Sequence, residues 1–131
     1  MPLDPTMKTL VIDDMTTMRK IITKMLTGLG FTDLHQADDG ATAWPMIQDA
    51  LETDAPFQFI VSDWNMPQMS GLDLLKKIRA TESIKDLPFL MITAEAESSN
   101  VVTVVQAGVS NFIVKPFTPV TLKEKIGKIF P

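Results

Sequence analysis

Five side chains in this chain have the types and spacing for phosphoryl chemistry: Asp13, Asp14, Asp63, Thr93 and Lys115. Each stands where a short apolar run stops. If those runs are parallel strands, their ends share one edge of a sheet, where open α/β sheets place their ligands. Three carboxylates, a hydroxyl and an ammonium then meet in one crevice. Crowded carboxylates repel and raise one another's pKa unless a cation compensates. A hard divalent ion with oxygen ligands is the natural remedy, and magnesium is commonly held by one or two carboxylates together with phosphate oxygens. Lys115 can pair with a phosphoryl group as a point charge, and Thr93 can donate to it. Asp63 is left as the nucleophile, because carboxylates accept phosphoryl groups as aspartyl phosphates.

Taken singly, each signal has an ordinary reading. An Asp-Asp pair after a strand is commonly a turn, a strand-end Thr is usually structural, and a Lys before Pro is usually a solvated loop residue. The joint placement at corresponding strand ends is what points to function. The elements must therefore deliver it. Thr9 to Ile12 reads as a first strand, ending in Asp13-Asp14. Met18, Ile21, Ile22, Met25, Leu26 and Leu29 recur at three and four, predicting a helix that faces a core. Thr16 or Thr17 is its expected N-cap, and Gly28 or Gly30 its stop. Leu34 to Ala37 is more polar and fits an edge strand; His35, the only histidine, reads as a partly exposed residue of it rather than a ligand or base.

Asp38-Asp39-Gly40 is a turn. A second helix should run to about Leu51, either starting near Trp44 or kinked at Pro45, which lacks a donor and clashes with the preceding turn. Glu52 to Pro56 connects to Phe59–Val61, a continuous apolar run buried on both faces and ending at Asp63. Ser70-Gly71 opens a third helix with Leu72, Leu75 and Ile78 inward. Phe89 to Ile92 is a fourth strand ending at Thr93. Glu97 to Ala107 is rich in β-branched residues, poor helix formers. It is assigned as helix because Phe112 to Val114 reads as another parallel strand, and parallel neighbours need a crossover. Gly108 is its stop. Lys115-Pro116-Phe117 ends the fifth strand, and Leu122, Ile126, Ile129 and Phe130 line a last helix. Strand and helix alternate five times, which predicts an α/β doubly wound parallel sheet in one domain.

The chain has 131 residues, 45% hydrophobic and 21% charged, the composition of one globular domain spanning 1–131 with no linker to an output domain. No run reaches the roughly 18 apolar residues of a membrane span, and the first residues do not read as a signal peptide. The absence of cysteine removes disulfide and thiolate chemistry and suits the cytoplasm. A net charge of −4 argues against nucleic acid as the main partner. Nine methionines read first as pliable core filler.

Four ordered motifs carry a resemblance that runs almost end to end. Asp13-Asp14, Ser62-Asp63-Trp64-Asn65-Met66-Pro67, Met91-Ile92-Thr93-Ala94-Glu95-Ala96 and Lys115-Pro116-Phe117, supported by Thr17-Met18-Arg19 and Ala107-Gly108, resemble the receiver domain of two-component response regulators. The similarity is strongest to its stand-alone chemotaxis members. It implies a flavodoxin-like sheet of order 2-1-3-4-5 with five helices, an order taken from the family rather than from the periodicity. It further implies that Asp63 accepts phosphate from a histidine kinase. Asp14, Asp63 and the Asn65 carbonyl would ligate Mg2+, with Asp13 acting mainly through a metal-bound water. Thr93 and Lys115 would bind phosphoryl oxygens, Lys115-Pro116 would be cis, and Glu95 and Asn65 would tune hydrolysis.

The resemblance also implies an output. Thr93 moves toward the phosphoryl group and the aromatic Phe112 turns inward. A face including Ala96, Glu97, Asn100, Val101, Phe112, Val114 and Lys125 then changes its affinity for the flagellar motor switch. A phosphatase is a further expected partner, the molecule is expected to be a monomer, and neither nucleic acid nor membrane is expected. Three departures bear on the target. Phe112 stands where close relatives carry Tyr, Glu97 and Ser98 stand where switch-binding relatives carry lysines, and the Leu51–Phe57 connection is longer. Charge reversal alters partner choice more than fold. A phosphate sink for a shared kinase, or a receiver acting on a non-flagellar partner, is therefore the alternative. A phosphatase of the haloacid dehalogenase kind is disfavoured, because Asn65 stands where that chemistry needs a second aspartate.

Overall fold

The computed structural model describes residues 4–64, 66, 68–93 and 98–130, without the side chains of 98–101. Along each central strand, neighbouring side chains enter two different cores, which is why these runs are apolar throughout rather than alternating. In β1 (Thr9–Ile12), Leu10 and Ile12 face one side and Val11 the other. β3 (Phe59–Asp63) and β4 (Phe89–Thr93) behave likewise: Ile60, Phe89 and Met91 enter the first core, and Phe59, Val61, Leu90 and Ile92 the second. With β2 (Leu34–Ala37) and β5 (Asn111–Val114) they form one parallel sheet in the order β2-β1-β3-β4-β5. The doubly wound, flavodoxin-like expectation is met.

Helices cover both faces. α1 (Thr16–Gly28) and α5 (Pro119–Ile129) bury Ile22, Leu26, Leu122 and Ile126 on the second core. α2 (Gly40–Leu51), α3 (Gly71–Arg79) and α4 (Ser98–Gln106) bury Ile47, Leu74, Leu75, Ile78 and Val104 on the first. Each such fully buried aliphatic side chain contributes about 1.5–3 kcal/mol of transfer free energy. The register sets the site: Ile12 pairs with Ser62, Asp63 with Ile92, and Thr93 with Val114. Asp13, Asp63, Thr93 and Lys115 therefore lie at one edge of the sheet.

Several local expectations need correction. Neither Thr16 nor Thr17 caps α1. Met15 is the N-cap, in extended conformation and without a side-chain cap. Its N–H is instead taken by the Asp13 carboxylate at 2.9 Å, so the residue before the helix is tied to the site. Ile21 is not inward but 41% exposed, because the core stripe of α1 runs through Ile22 and Leu26. Leu72 is only half-buried and Leu74 takes the core position beside Leu75. α2 starts at Gly40, not near Trp44, and Pro45 lies inside it. Proline there forgoes the bond to the carbonyl four residues back. Asp39 offsets part of that cost by accepting from Thr42 N–H at 2.8 Å, while Ala43, Ile47 and Ala50 anchor the buried face. A short 3-10 turn at Glu82–Ile84 was not legible in the pattern.

Other expectations hold. Ser70 caps α3 by accepting from Asp73 N–H. Gly108 ends α4 at φ +90°, the left-handed conformation that favours glycine. Glu97, the expected first residue of α4, lies outside the described residues, and the described helix spans Ser98–Gln106. β2 is an edge strand, and His35 is a half-exposed residue whose Nε2 lies 2.7 Å from Asp33 Oδ1.

Candidate functional site

Asp13 follows β1, and Asp63 and Thr93 are the last residues of β3 and β4; all three are buried. Asp14, the next residue on the loop, is exposed. One carboxylate oxygen from each of Asp13, Asp14 and Asp63 lies within 4.8 Å of the others. Lys115, just after β5, reaches across with its Nζ 3.2 Å from Asp63 Oδ1 and 3.6 Å from Asp13 Oδ2. The crevice expected from the strand ends is therefore formed by three clustered carboxylates, two of them within reach of Lys115, with Thr93 on the adjoining strand end.

The backbone fixes these groups. Lys115 N–H donates to Thr93 O at 2.8 Å, which ties the start of the β5–α5 loop to the end of β4. Lys115-Pro116 is cis, as the resemblance implied. Trp64 N–H is shared between Ile92 O at 2.9 Å and Asp63 Oδ1 at 3.0 Å, orienting the carboxylate. Ser62 Oγ donates to Asp63 O at 2.9 Å. Gly71, first residue of α3, abuts that same Asp63 carbonyl, and its N–H donates to Trp64 O at 2.9 Å. A Cβ at Gly71 would collide with Asp63 O and sit 3.0 Å from Met91 Sδ, so only glycine lets α3 start this close. Arg19 braces the other side, donating from Nη1 to Asp13 O at 2.7 Å and from Nε to Gln36 Oε1 at 3.2 Å. Sequence reasoning quoted Arg19 and Gly71 only as motif and helix start. Their positioning roles depend on long-range approach, which no local pattern encodes.

The electrostatics are those of a site short of positive charge. Burial pushes the Asp13 carboxyl above the usual carboxylate range, opposed by the Met15 N–H and by Lys115. Burial likewise raises Asp63, and the Asp13 charge raises it further, against Lys115 and the Trp64 N–H. The Lys115 ammonium thus serves two buried carboxylates, Asp13 and Asp63, with Asp14 beside them. Among the described residues Asp13 Oδ2 is buried and accepts no hydrogen bond, its ion-pair partner Lys115 standing just beyond hydrogen-bond reach. A buried carboxylate oxygen left unpartnered costs free energy that a cation would recover. The donor set is all oxygen, which suits a hard ion such as Mg2+ rather than a soft one. Asp13, Asp14 and Asp63 would be the residues to hold such an ion, each offering one carboxylate oxygen to the cluster.

Asn65, Pro67, Ala94, Glu95, Ala96 and Glu97 lie outside the described residues, as do the side chains of Asn100 and Val101. The structure describes Phe112, Val114 and Lys125 of the expected partner face. Phe112 and Val114 on β5 are half-buried. The Lys125 ammonium on α5 lies 5.3 Å from the centre of the Phe112 ring, and Asn111 Nδ2 donates to Lys125 O at 3.2 Å. Phe112 packs at the margin of the first core.

Comparison with known proteins agrees with this fold. Residues 9–127 match the response regulator receiver domain family. Chemotaxis protein CheY-3 of Vibrio cholerae is 53% identical over 128 residues, covering 98% of this chain and 95% of its own length. Among solved structures, the chemotaxis response regulator CheY4 of Vibrio cholerae superposes with a TM-score of 0.83 at 31% identity, covering 95% of this chain and 98% of its own. The CheX-CheY-BeF3-Mg+2 complex of Borrelia burgdorferi contains a chain with a TM-score of 0.85 at 26% identity, covering 95% and 90% respectively. The chain belongs to the response regulator receiver domain family.

Proposed function

We propose that this receiver domain is the phosphorylation-activated switch of a two-component chemotaxis system. The observation that carries the reading is the convergence of Asp13, Asp14 and Asp63 with Lys115 at one sheet edge. Asp63 is the phosphoacceptor. Its Oδ1 is held by Trp64 N–H and Lys115. An Asp63 oxygen forms a bond to phosphorus as the bond from phosphorus to the imidazole of a histidine kinase breaks. Lys115 and the Thr93 hydroxyl bind the phosphoryl oxygens and offset their charge. Asp14, Asp63 and the Asn65 carbonyl would hold Mg2+, with Asp13 acting mainly through a metal-bound water, and the ion would neutralise negative charge on the carboxylates and the incoming phosphoryl group. Glu95 and Asn65 set how fast the acyl phosphate hydrolyses.

Phosphorylation adds about −1.5 to −2 charge and strong acceptors beside Thr93. Thr93 and Val114 are register partners, and Phe112 lies two residues earlier on the same strand. Movement of Thr93 is thereby passed to Phe112 and to the face it shares with Val114, Lys125 and α4. The partner is the flagellar motor switch. Phe112 favours a second reading, because a phenyl ring has no hydroxyl with which to bond a partner: a phosphate sink that drains a shared kinase, or a receiver with a non-flagellar target. The discriminating experiment titrates a motor-switch peptide with and without beryllofluoride and Mg2+. Tighter binding with the phosphate mimic supports the motor reading. Rapid phosphotransfer from the kinase with no affinity gain rejects it in favour of the sink.

A further inference from the structure

One cavity borders the site without being used by the reading above. α1 and the start of the β5–α5 loop enclose about 410 Å³ between Met18, Ile21, Met25, Lys115, Pro116 and Phe117. Its walls are apolar apart from Lys115. The same Lys115 holds its ammonium 3.2 Å from Asp63. The groove therefore meets the phosphoacceptor site at Lys115, the one charged residue among its described lining. Such a site is complementary to a molecule with an anionic head and an apolar body. The volume falls in the range of small-molecule sites. Methionine walls adapt to irregular ligands. Ile21 stands 41% exposed with nothing from this chain to cover it among the described residues. Three further cavities among the described residues are lined in part by Lys8, His35 and Asp49, by Glu82, Lys85 and Asp86, or by Lys123, and Lys115 lines none of these three.

We infer that the small-molecule phosphoryl donors this site selects are acyl phosphates with an apolar aryl or branched acyl group, seated in the groove between α1 and the β5–α5 loop. The inference rests on Asp63 being the phosphoacceptor. The phosphoryl group lies against Lys115 and Asp63, and the carbon part lies against Met18, Ile21, Met25 and Phe117. An Asp63 carboxylate oxygen forms the new O–P bond. The bond from phosphorus to the donor's bridging oxygen breaks, and its electron pair leaves on the carboxylate product, which needs no proton at neutral pH. A two-carbon acyl group leaves most of the groove unfilled, so selection favours the larger donor.

The test compares benzoyl phosphate with acetyl phosphate as donors to the whole chain in Mg2+, following label on the Asp63 peptide by mass spectrometry. Covering roughly 60 Å² of apolar surface at about 25 cal/mol per Å² predicts about a tenfold preference for benzoyl phosphate. Ile21→Ser should bring the ratio of the two rates toward one, Ile21→Leu should restore it, and Val105→Ser, on exposed α4 surface away from the groove, should leave it as in the parent. Comparing variants cancels any intrinsic difference between the donors. Equal rates in the parent, or a ratio unmoved by Ile21→Ser, overturn the inference while leaving Asp63 as acceptor. If Ile21→Ser slows only transfer from a phosphohistidine protein, the groove holds that protein instead and the inference fails. No label on Asp63 from either donor removes the acceptor assignment itself, and the inference with it.

Discussion

Gly71→Ala perturbs the site without touching any of its charged groups. The added methyl would collide with Asp63 O and stand 3.1 Å from Asp63 C and 3.0 Å from Met91 Sδ. Two of these are backbone atoms at the end of a central strand, and the third belongs to a fully buried residue. Ordinary carbon contacts lie near 3.5–4.0 Å, so the start of α3 and the Asp63 carbonyl must separate by about 1 Å. Overpacking of this kind costs about 1–3 kcal/mol. With 131 residues and about 2.1 cal/mol/K of unfolding entropy per residue, the midpoint should fall by about 4–11 °C. A displacement of about 1 Å at a reacting group costs up to about a hundredfold in rate, so labelling of Asp63 by acetyl phosphate should slow by about 10- to 100-fold. Gly127→Ala is the control. Nothing lies within 4 Å of its Cβ and it sits inside α5, so it should raise the midpoint by about 2–4 °C with no effect on labelling. Differential scanning calorimetry and labelling time courses read both. A Gly71→Ala protein that melts and labels like the parent would refute the claim that α3 is pressed against the acceptor.

The remaining predictions concern charge. Folding raises the pKa of Asp13 and Asp63, so above the ordinary carboxylate value the folded state binds more protons than the unfolded chain. Metal-free stability should then fall as pH rises through the raised values, their contribution being intact only at more acidic pH. Asp13→Asn should flatten that fall and make the protein more stable than the parent at pH 7 in EDTA. Saturating Mg2+ should reverse the ranking, since a ligand at about 100 times its Kd adds about 2.7 kcal/mol to the protein that binds it; urea titrations with and without Mg2+ read this. Lys115→Met removes a cation 3.2 Å from Asp63 and should tighten Mg2+ binding severalfold while slowing labelling; weaker Mg2+ binding would contradict the geometry. Trp64 adjoins Asp63, whereas Trp44 lies on α2 under Lys77. Quenching of fluorescence by Mg2+ should therefore survive Trp44→Phe and vanish in Trp64→Phe.

The central strands and the site were legible because their signals are local and strong. Continuous apolar runs identify strands buried on both faces, and each run stops at the polar residue that the shared sheet edge then brings together. What escaped was decided by packing at a distance. Ile21 sits at the right spacing for a core stripe, yet the stripe is narrow enough that Ile22 and Leu26 fill it, leaving Ile21 to line the groove. Leu72 and Leu74 are equally apolar, and α3 buries Leu74 with Leu75 and Ile78 while leaving Leu72 half-buried. Thr16 and Thr17 have the chemistry of a cap, but Asp13 takes the Met15 N–H and starts the helix one residue sooner. Pro45 left either a late start or a kink open for α2, and the Asp39 cap and the buried Ala43, Ile47 and Ala50 carry the helix through it from Gly40. The close approach of Gly71 to Asp63 joins residues from two elements, and only the folded arrangement reveals it.

The account's central claim is that Asp63 accepts a phosphoryl group in a cation-dependent site built with Asp13, Asp14 and Lys115. Peptide-mapped mass spectrometry after acetyl phosphate treatment tests it most directly. The account predicts one phosphoryl group, on the Asp63 peptide, dependent on Mg2+, abolished by EDTA and absent from Asp63→Asn. Label that persists in Asp63→Asn or in EDTA, or that maps to another residue, would contradict it.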